Sequence, residues 1–561
     1  MLARIGTRMT YIGKYSLPNI LLIIIFSIIL VLPIFKFIQS GSFVTHDGAI
    51  HILRTKEFYS ALQNRNIPVR IAPNILGEAR YPLFLINYQL PYLAGSAFLA
   101  IGFSAKDAYR ILTVITYLLY VLGAFLFFKT IASKIVASIA TLNLVYTPYF
   151  FNNIFIRGAL PEFMASMILI WILYVIAKSE QKKFPILVVG FLLGLQLLTQ
   201  TVVAFIGAPL VVTMSCFSYH SKWILRGMLA LYAYAIGFLL AAYILLPALF
   251  ERHYFQFDIK ASSIISNHFI TIVQLIKIPF IHTTDNALQL NFMQTFIMIV
   301  GFGLFFLFKK SIDRFKFGLL LLLSWGLIYF ITPQSKIWWE HIFFLKAVFF
   351  PWRILTLISI TTGILLIYLM KIHKNMLIPA IILTVISASL TRHYIKPVDF
   401  GSEFVNNTDQ FITGTTDEEF TPVGAKIDNK LITLPQLSIL KGKINVLQSQ
   451  YKASDWFVRA EVEEAATVQA KILYFPGWKA YLNGRFYNIN FPIENNNGKG
   501  YPGLPRVNLD PGINTLEFHY GETVLRKFGN VISMVTFLLL MFFLFKKYVP
   551  IKFSLSPNDY R

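Results

Sequence analysis

The chain has 561 residues, of which 56% are hydrophobic and only 14% are charged, and its mean hydropathy is +0.61. Soluble domains carry a charged share of about 25%, so this composition excludes an ordinary soluble enzyme and predicts a polytopic membrane protein. The net charge of +23 does not indicate nucleic-acid binding, because Lys and Arg lie in short runs between apolar segments, as in cytoplasmic loops. The single cysteine, Cys216, excludes an intramolecular disulfide and a thiolate metal site.

Apolar runs long enough to cross a bilayer recur along the chain, and we predict about twelve spans with both termini in the cytoplasm of a plasma-membrane protein. The first run is too long for a signal-peptide core, so we expect it to be retained. The basic residues Arg4, Arg8 and Lys14 before it place its start inside. The predicted spans cover residues 16–38, 108–128, 134–151, 163–178, 184–199, 202–219, 223–249, 290–308, 317–332, 353–371, 375–391 and 527–545.

The stretch from Tyr81 to Phe103 is apolar but contains two prolines and two glycines. Counting it as a span would place four later Lys/Arg clusters outside the cell, against the positive-inside rule. We therefore predict a pair of interfacial helices here, within a first external loop that covers residues 39–107.

Three regions follow from this topology: a transmembrane domain over residues 1–391, an external β-rich domain over 392–526, and a last span with a cytoplasmic tail over 527–561. Residues Trp456–Val462 alternate with a period of two, as in a half-buried strand. Asn483-Gly484 is a strong hairpin signal, and Asp510–Gly512 is a second turn. Several short strands at this spacing predict a small β-sandwich. It could act as a substrate lid, a carbohydrate-binding unit, a docking surface or a passive domain.

The stretch Thr45–Arg54 (THDGAIHILR) carries the main candidates for chemistry. On a helix, Asp47, His51 and Arg54 would lie at i, i+4 and i+7, on one face beside the membrane. An acid there can accept a proton from a hydroxyl, and a guanidinium can bind a phosphate through two parallel hydrogen bonds. The alternative is that Thr45 or Asp47 caps a surface helix and the other groups are solvated.

Four further charged residues lie at predicted external ends of spans, and each has a structural alternative. Arg157 and Arg353 are candidates to bind phosphate, although Arg353 suits an interfacial anchor equally well. Glu162 is a candidate catalytic or acceptor-binding group, or a partner of the helix dipole just after Pro161. Glu251 is a candidate substrate ligand, or an interfacial residue.

A metal site is only permitted by these residues. His46 and His51 lack the i, i+4 spacing and a third ligand that zinc requires. Asp47 and Glu162 could share a divalent cation with phosphate oxygens.

Several segments resemble known families. The layout, with an acid in the loop after the first span, resembles the GT-C superfamily of polytopic glycosyltransferases. The Thr45–Arg54 stretch, Arg157–Glu162 (RGALPE), Leu246–Glu251 (LPALFE) and Tyr474–Gly484 (YFPGWKAYLNG) resemble the bacterial YfhO-like membrane proteins and the family labelled "6-pyruvoyl-tetrahydropterin synthase-related". The histidine metal triad of a pterin synthase is not visible. Gln200, at the end of the fifth predicted span, departs from the histidine or asparagine expected there.

The resemblance implies a GT-C-like fold and transfer of a sugar from a polyprenyl-phosphate carrier to a glycan, lipid or protein acceptor of the cell envelope. Asp47 would then be the general base, and the arginines would bind the phosphate. Two other functions stay open: a transporter or flippase of a lipid-linked saccharide, and a non-catalytic envelope assembly protein. A transporter should show paired repeats and polar helices at the membrane midplane, whereas the polar groups here gather at the ends of the spans.

Overall fold

A computed structural model describes most of the chain. The basic N-terminal residues and the predicted cytoplasmic tail beyond residue 548 lie outside the described residues. The described ranges are 17–40, 45–180, 182–257, 265–276, 288–307, 312–346, 348–372, 376–395, 419–489 and 500–548.

Seven helical segments within these ranges are long and apolar enough to cross a membrane, which agrees with the predicted helical membrane protein. Each contains a strongly apolar window of 18 residues, long enough to traverse most of the hydrocarbon core, with at most two charged side chains. The segments are Ala105–Ile131, Leu160–Lys178, Trp223–Leu240, Ile312–Ile331, Pro351–Lys371, Leu377–Tyr394 and Val524–Lys546.

The other five predicted spans correspond to Leu17–Gln39 and to shorter apolar helices, so the count of twelve stays a prediction. The predicted span of residues 202–219 is broken at Gly207 into two helices, the second of which begins with a proline in its first turn. The predicted span of residues 223–249 is likewise divided at Ala241, into Trp223–Leu240 and Ala242–Phe250. The shorter helices are Lys134–Val145, Ile186–Thr199, Thr201–Ile206, Ala208–Phe217 and Phe292–Leu307.

The stretch between Tyr81 and Phe103 does not form the predicted pair of helices. It forms one helix, Leu90–Ala100, after an irregular segment. At 1.5 Å per residue this helix is only about 16 Å long, which is too short to cross a bilayer. The prolines and the buried Asn87 and Gln89 explain the irregular part, since Gln89 donates hydrogen bonds to two backbone carbonyls.

Six antiparallel strands form one sheet near the C-terminal end, which confirms the predicted β structure; its division into two packed layers stays a prediction. The strands are β1 (Leu437–Tyr451), β2 (Asp455–Ala470), β3 (Trp478–Leu482), β4 (Arg485–Tyr487), β5 (Arg506–Leu509) and β6 (Gly512–Tyr520). The spatial order is β1-β2-β6-β3-β4, with β5 paired to the C-terminal end of β2.

The two turns predicted in this region have different outcomes. Asn483 and Gly484 both adopt positive φ angles and close the β3–β4 hairpin, as that dipeptide favours. The turn at Asp510–Gly512 instead joins β5 and β6, which do not pair with each other. Both strands pair with β2, one after the other along its length.

The sheet packs against the loop that follows the first helices rather than standing apart from it. Ile71 and Leu85 belong to the same buried cluster as Trp456 and Phe518 of the sheet. Arg70 forms a two-point ion pair with Glu522 (3.1 and 3.2 Å) just before the last long helix. This packing brings the sheet beside the cavity described below.

Candidate functional site

A buried helix, Gly48–Gln63, carries the first group of candidate residues. The Oγ1 of Thr45 accepts a hydrogen bond from the backbone N–H of Gly48 (3.0 Å), so Thr45 caps the helix, while the side chain of Asp47 makes no capping bond. The Asp47 carboxylate is therefore available for contacts with side chains outside this helix. It is 26% exposed and lies 3.4 Å from the Nη2 of Arg157.

A tight turn holds Arg157 in this position. The backbone N–H groups of His46 and Asp47 donate to the carbonyls of Ile156 and Arg157 (3.0 and 2.7 Å). Gly158 adopts a φ of +64°, and a β-carbon there would come within 2.2 Å of the Oγ1 of Thr45. Only glycine allows this close approach, and the approach brings the two segments together.

Glu162 is almost completely buried and accepts hydrogen bonds from four side chains, three of them within residues 149–157 and the fourth from Arg353. Its Oε2 accepts from Arg157 Nη1 (2.9 Å) and from Arg353 Nε (3.2 Å). Its Oε1 accepts from the hydroxyl of Tyr149 and from Asn153 Nδ2 (3.4 Å). A buried carboxylate is tolerated when it is paired and hydrogen-bonded in this way. Glu162 thus fixes two guanidinium groups that approach the cavity.

His51 and Arg54 share one tyrosine hydroxyl. The hydroxyl of Tyr92 lies 3.1 Å from His51 Nδ1 and accepts a hydrogen bond from Arg54 Nη1 (3.1 Å). Tyr88 lies 3.4 Å from the same guanidinium nitrogen. Burial lowers the pKa of His51 well below its usual 6.5, and the charges of Arg54 and Arg157 lower it further. His51 is therefore a neutral imidazole at pH 7.

These groups line one cavity of about 650 Å³. Six of the seven predicted site residues contribute to its wall, and the seventh, Glu251, does not. The wall also contains Arg252 and Glu419, so four arginines face three carboxylates. This balance leaves an excess of positive charge, which suits an anionic ligand. The six predicted residues are Asp47, His51, Arg54, Arg157, Glu162 and Arg353.

The cavity lining also contains a group of apolar side chains. They come from the helices Thr201–Ile206 and Ala242–Phe250, together with Phe238. The cavity lining therefore combines charged groups with apolar side chains. The apolar side chains are those of Val202, Phe205, Phe238, Ile244, Leu245 and Leu249.

Glu251 lies instead at the junction with the last long helix. Its carboxylate accepts hydrogen bonds from Arg526 Nε (2.7 Å) and from Thr523 Oγ1 (2.8 Å). Arg526 is completely buried. Glu251 therefore forms a buried ion pair and does not line the cavity that contains the other candidates.

Several cavity residues carried weak sequence signals. Trp352 lies next to Arg353 in the sequence, and its ring lies 4.4 Å from the Arg157 guanidinium carbon, a cation–π contact. Gln200 also lines the cavity. Glu419 has no neighbouring sequence motif, so the sequence does not predict it as a site residue. Its place in the cavity wall is evident only from the fold.

The Arg157 guanidinium bridges Asp47 and Glu162, at 3.4 and 2.9 Å. It thus lies between the two carboxylates that the sequence would allow to share a divalent cation. Within the described part of the chain, no group of three or more His, Cys, Asp or Glu side chains is arranged to hold a metal ion. The sequence permits a divalent cation at this site without predicting one, and nothing in the structure tests it.

No protein-family model, curated protein or solved structure matches this chain. The resemblance to GT-C-like and YfhO-like proteins therefore stays a prediction, and the function has to be inferred from the cavity.

Proposed function

We propose that this protein is a membrane glycosyltransferase that transfers a sugar from a polyprenyl-phosphate carrier to a hydroxyl group of a cell-envelope acceptor. The observation that carries the proposal is the Asp47 carboxylate in the wall of a cavity whose lining combines four arginines with apolar side chains. A lipid phosphate has the same two parts, an anionic head and an apolar tail.

In the proposed reaction, the acceptor oxygen attacks the anomeric carbon of the sugar while the bond from that carbon to the phosphate oxygen breaks. Asp47 accepts the proton of the attacking hydroxyl. The electron pair of the broken bond leaves with the polyprenyl phosphate, which departs as a more negative anion. Attack from the side opposite the leaving group inverts the configuration at the anomeric carbon.

The arginines are proposed to stabilise the charge that develops on this leaving group. Fixed guanidinium groups are effective because they need little reorganisation during the reaction. Arg157 and Arg353 are held by Glu162, and Arg54 is held by Tyr88 and Tyr92. Glu162 is therefore proposed as a positioning residue, since its own oxygens are occupied by four donors.

The proposed location of the protein in the cell follows from the predicted topology. The plasma membrane holds the spans, and the cavity and the β-rich domain face outward with both termini in the cytoplasm. This arrangement agrees with an acceptor in the cell envelope, which is a glycan, lipid or protein. The finer elements of the fold, a GT-C-like arrangement of about twelve spans and a β-sandwich, belong to the same proposal.

The substitution Asp47→Asn tests the proposal, because it keeps the shape of the side chain and removes its basicity. We expect the rate of sugar transfer to fall by at least about 100-fold. The measurement uses the full chain in lipid nanodiscs, radiolabelled polyprenyl-phosphate hexoses as donors, and a membrane-envelope extract as acceptor.

The matched control is Glu340→Gln, which removes an exposed carboxylate paired with Lys336 and should leave transfer unchanged. In the same assay, Glu162→Gln should weaken donor binding, because Arg157 and Arg353 lose their shared anchor. Full activity of Asp47→Asn would refute the role of the base. If the unmodified chain moves lipid-linked sugar across a vesicle membrane without transferring it, the protein is a transporter.

A further inference from the structure

One face of the β-sheet carries a row of aromatic and polar side chains that the proposed reaction does not use. In β2, Trp456 and Val458 are buried, so the intervening Phe457 points to the other face. Directly opposite residues of antiparallel strands lie on the same face, and the register extends this row across five strands. The row, here called the ring row, is Gln450, Phe457, Glu517, Tyr481 and Phe486.

The ring row exposes aromatic surface that the fold does not need. Phe486 is 67% exposed, although the opposite face of the sheet packs into a buried cluster. Its ring meets that of Tyr481 edge to face at 6.1 Å, and Tyr481 in turn lies 5.8 Å from the imidazole of His519. With neighbouring strands about 4.8 Å apart, the row spans roughly 19 Å.

Charged and hydrogen-bonding groups flank these rings. The Nδ1 of His519 lies 2.9 Å from Asp455, and its Nε2 lies 3.4 Å from Glu517. The hydrogen bond with Asp455 raises the pKa of His519, as does the weaker contact with Glu517. Two carboxylates thus face one imidazole, and Lys479 and Arg459 lie exposed nearby. Opposite charges are balanced on this face, so it does not select a strongly charged partner.

We propose that the ring row binds a neutral oligosaccharide chain of hexopyranose units. A pyranose presents a flat array of C–H bonds, which packs on an aromatic ring, and a rim of hydroxyl groups. Carboxylate and amide side chains beside the ring exchange hydrogen bonds with neighbouring hydroxyls. Rings occupy three of the five positions of the ring row and polar side chains occupy the other two, which fits sugar units packed side by side. A protein partner would instead favour an apolar centre enclosed by a polar rim.

Glycan binding by the ring row does not rest on the proposed transferase. It needs only the strand register and the exposed rings, and it defines a separate binding site on the same chain. If both are correct, the sheet holds a glycan beside the membrane while the cavity carries out the chemistry.

The test measures binding of cellotetraose and chitotetraose to the full chain in nanodiscs by saturation-transfer NMR and by titration. We expect the unmodified chain to bind at least one of the two, and the double substitution Tyr481→Ala/Phe486→Ala to weaken binding by at least about 10-fold, since two aromatic contacts are lost. The protons of the sugar's C–H face should receive most of the transferred magnetisation.

Two control variants establish whether binding depends on the ring row itself. Ile513→Ala removes an equally exposed apolar side chain from the same face but outside the ring row, and it should bind normally. Asp47→Asn should also bind normally, whatever becomes of sugar transfer. No binding of either oligosaccharide, or equal binding by the double variant, would overturn the proposal, and binding of a protein instead would do the same.

Discussion

At the scale of single residues, the two acids Asp47 and Glu162 in the cavity wall have different surroundings and therefore different roles. Glu162 is 1% exposed and is held by four donors, whereas Asp47 is 26% exposed and lies 3.4 Å from one arginine. A general base needs room for the hydroxyl whose proton it takes. Asp47 has that room and Glu162 does not, so in the proposed reaction Asp47 is the base and Glu162 positions the arginines.

His51 gives a prediction about stability and pH. Burial lowers its pKa in the folded chain well below the unfolded value of 6.5, with further lowering by Arg54 and Arg157. Below pH 6.5 the unfolded chain takes up a proton that the folded chain refuses, so stability falls as the pH falls through this window. We expect the loss of melting temperature between pH 7.5 and 5.5 to be smaller in His51→Gln than in the unmodified protein.

Thermal unfolding in detergent at the two pH values is the measurement. His341→Gln, which changes an exposed histidine, is the control and should follow the unmodified protein. An identical pH dependence in His51→Gln and the unmodified chain would contradict the prediction.

At the scale of elements, the site depends on how the turn before Leu160–Lys178 meets the start of Gly48–Gln63. Backbone hydrogen bonds join the two segments, and Tyr109 adds a hydrogen bond to the carbonyl of Gly158 (3.0 Å). The two segments are about 110 residues apart in the sequence. Asp47 and Arg157 meet because this junction forms.

Gly158→Ala should break that junction. The new β-carbon would lie 2.2 Å from Thr45 Oγ1 and 2.7 Å from the hydroxyl of Tyr109, at a φ of +64° that alanine disfavours. We expect a loss of roughly 1–3 kcal/mol in stability and a matching loss of sugar transfer, measured by thermal unfolding and by the transfer assay. Gly303→Ala, with open space around its β-carbon, is the control. Comparable stability of the two variants would argue against the junction.

Features encoded locally could be predicted from the sequence. The long apolar helices and the Asn483-Gly484 hairpin follow from patterns within about 25 residues, and the structure confirms them. The broken helix at Gly207 and the single helix of Leu90–Ala100 were missed. The break at Gly207 comes just before a proline in the first turn of the next helix. The irregular segment before Leu90–Ala100 contains buried polar side chains, and the average hydropathy of a window registers neither feature.

At the scale of the whole molecule, the contacts that assemble the site could not be predicted from the sequence. Arg353 and Glu162 are 191 residues apart, and Glu251 and Arg526 are 275 apart. No periodicity or motif encodes such pairings. The sequence groups Glu251 with the other candidates because it lies at a predicted external end of a span, whereas in the structure its partner is Arg526, near the start of the last long helix.

That last pairing connects three parts of the fold. Besides Glu251, Arg526 donates hydrogen bonds to the hydroxyl of Tyr520 in β6 (2.7 Å) and to the carbonyl of Pro476 (2.8 Å). One buried guanidinium thus joins the helix Ala242–Phe250, the sheet and the last long helix. The helix Ala242–Phe250 contributes to the cavity wall, and the ion pair after its last residue connects it to the sheet. The pair therefore holds the β-rich domain in place relative to the cavity.

Glu251→Gln should therefore destabilise the whole molecule. It leaves the completely buried Arg526 without its counter-charge, and breaking a buried ion pair typically costs about 3–5 kcal/mol. Replacing both partners, as in Glu251→Leu/Arg526→Met, removes the unpaired charge and should recover much of that loss. Thermal unfolding of the full chain in detergent measures both effects, with Glu340→Gln as the exposed control. If the single and double variants are equally unstable, hydrogen bonds of Arg526 to the sheet, and not its ion pair, hold the three parts together.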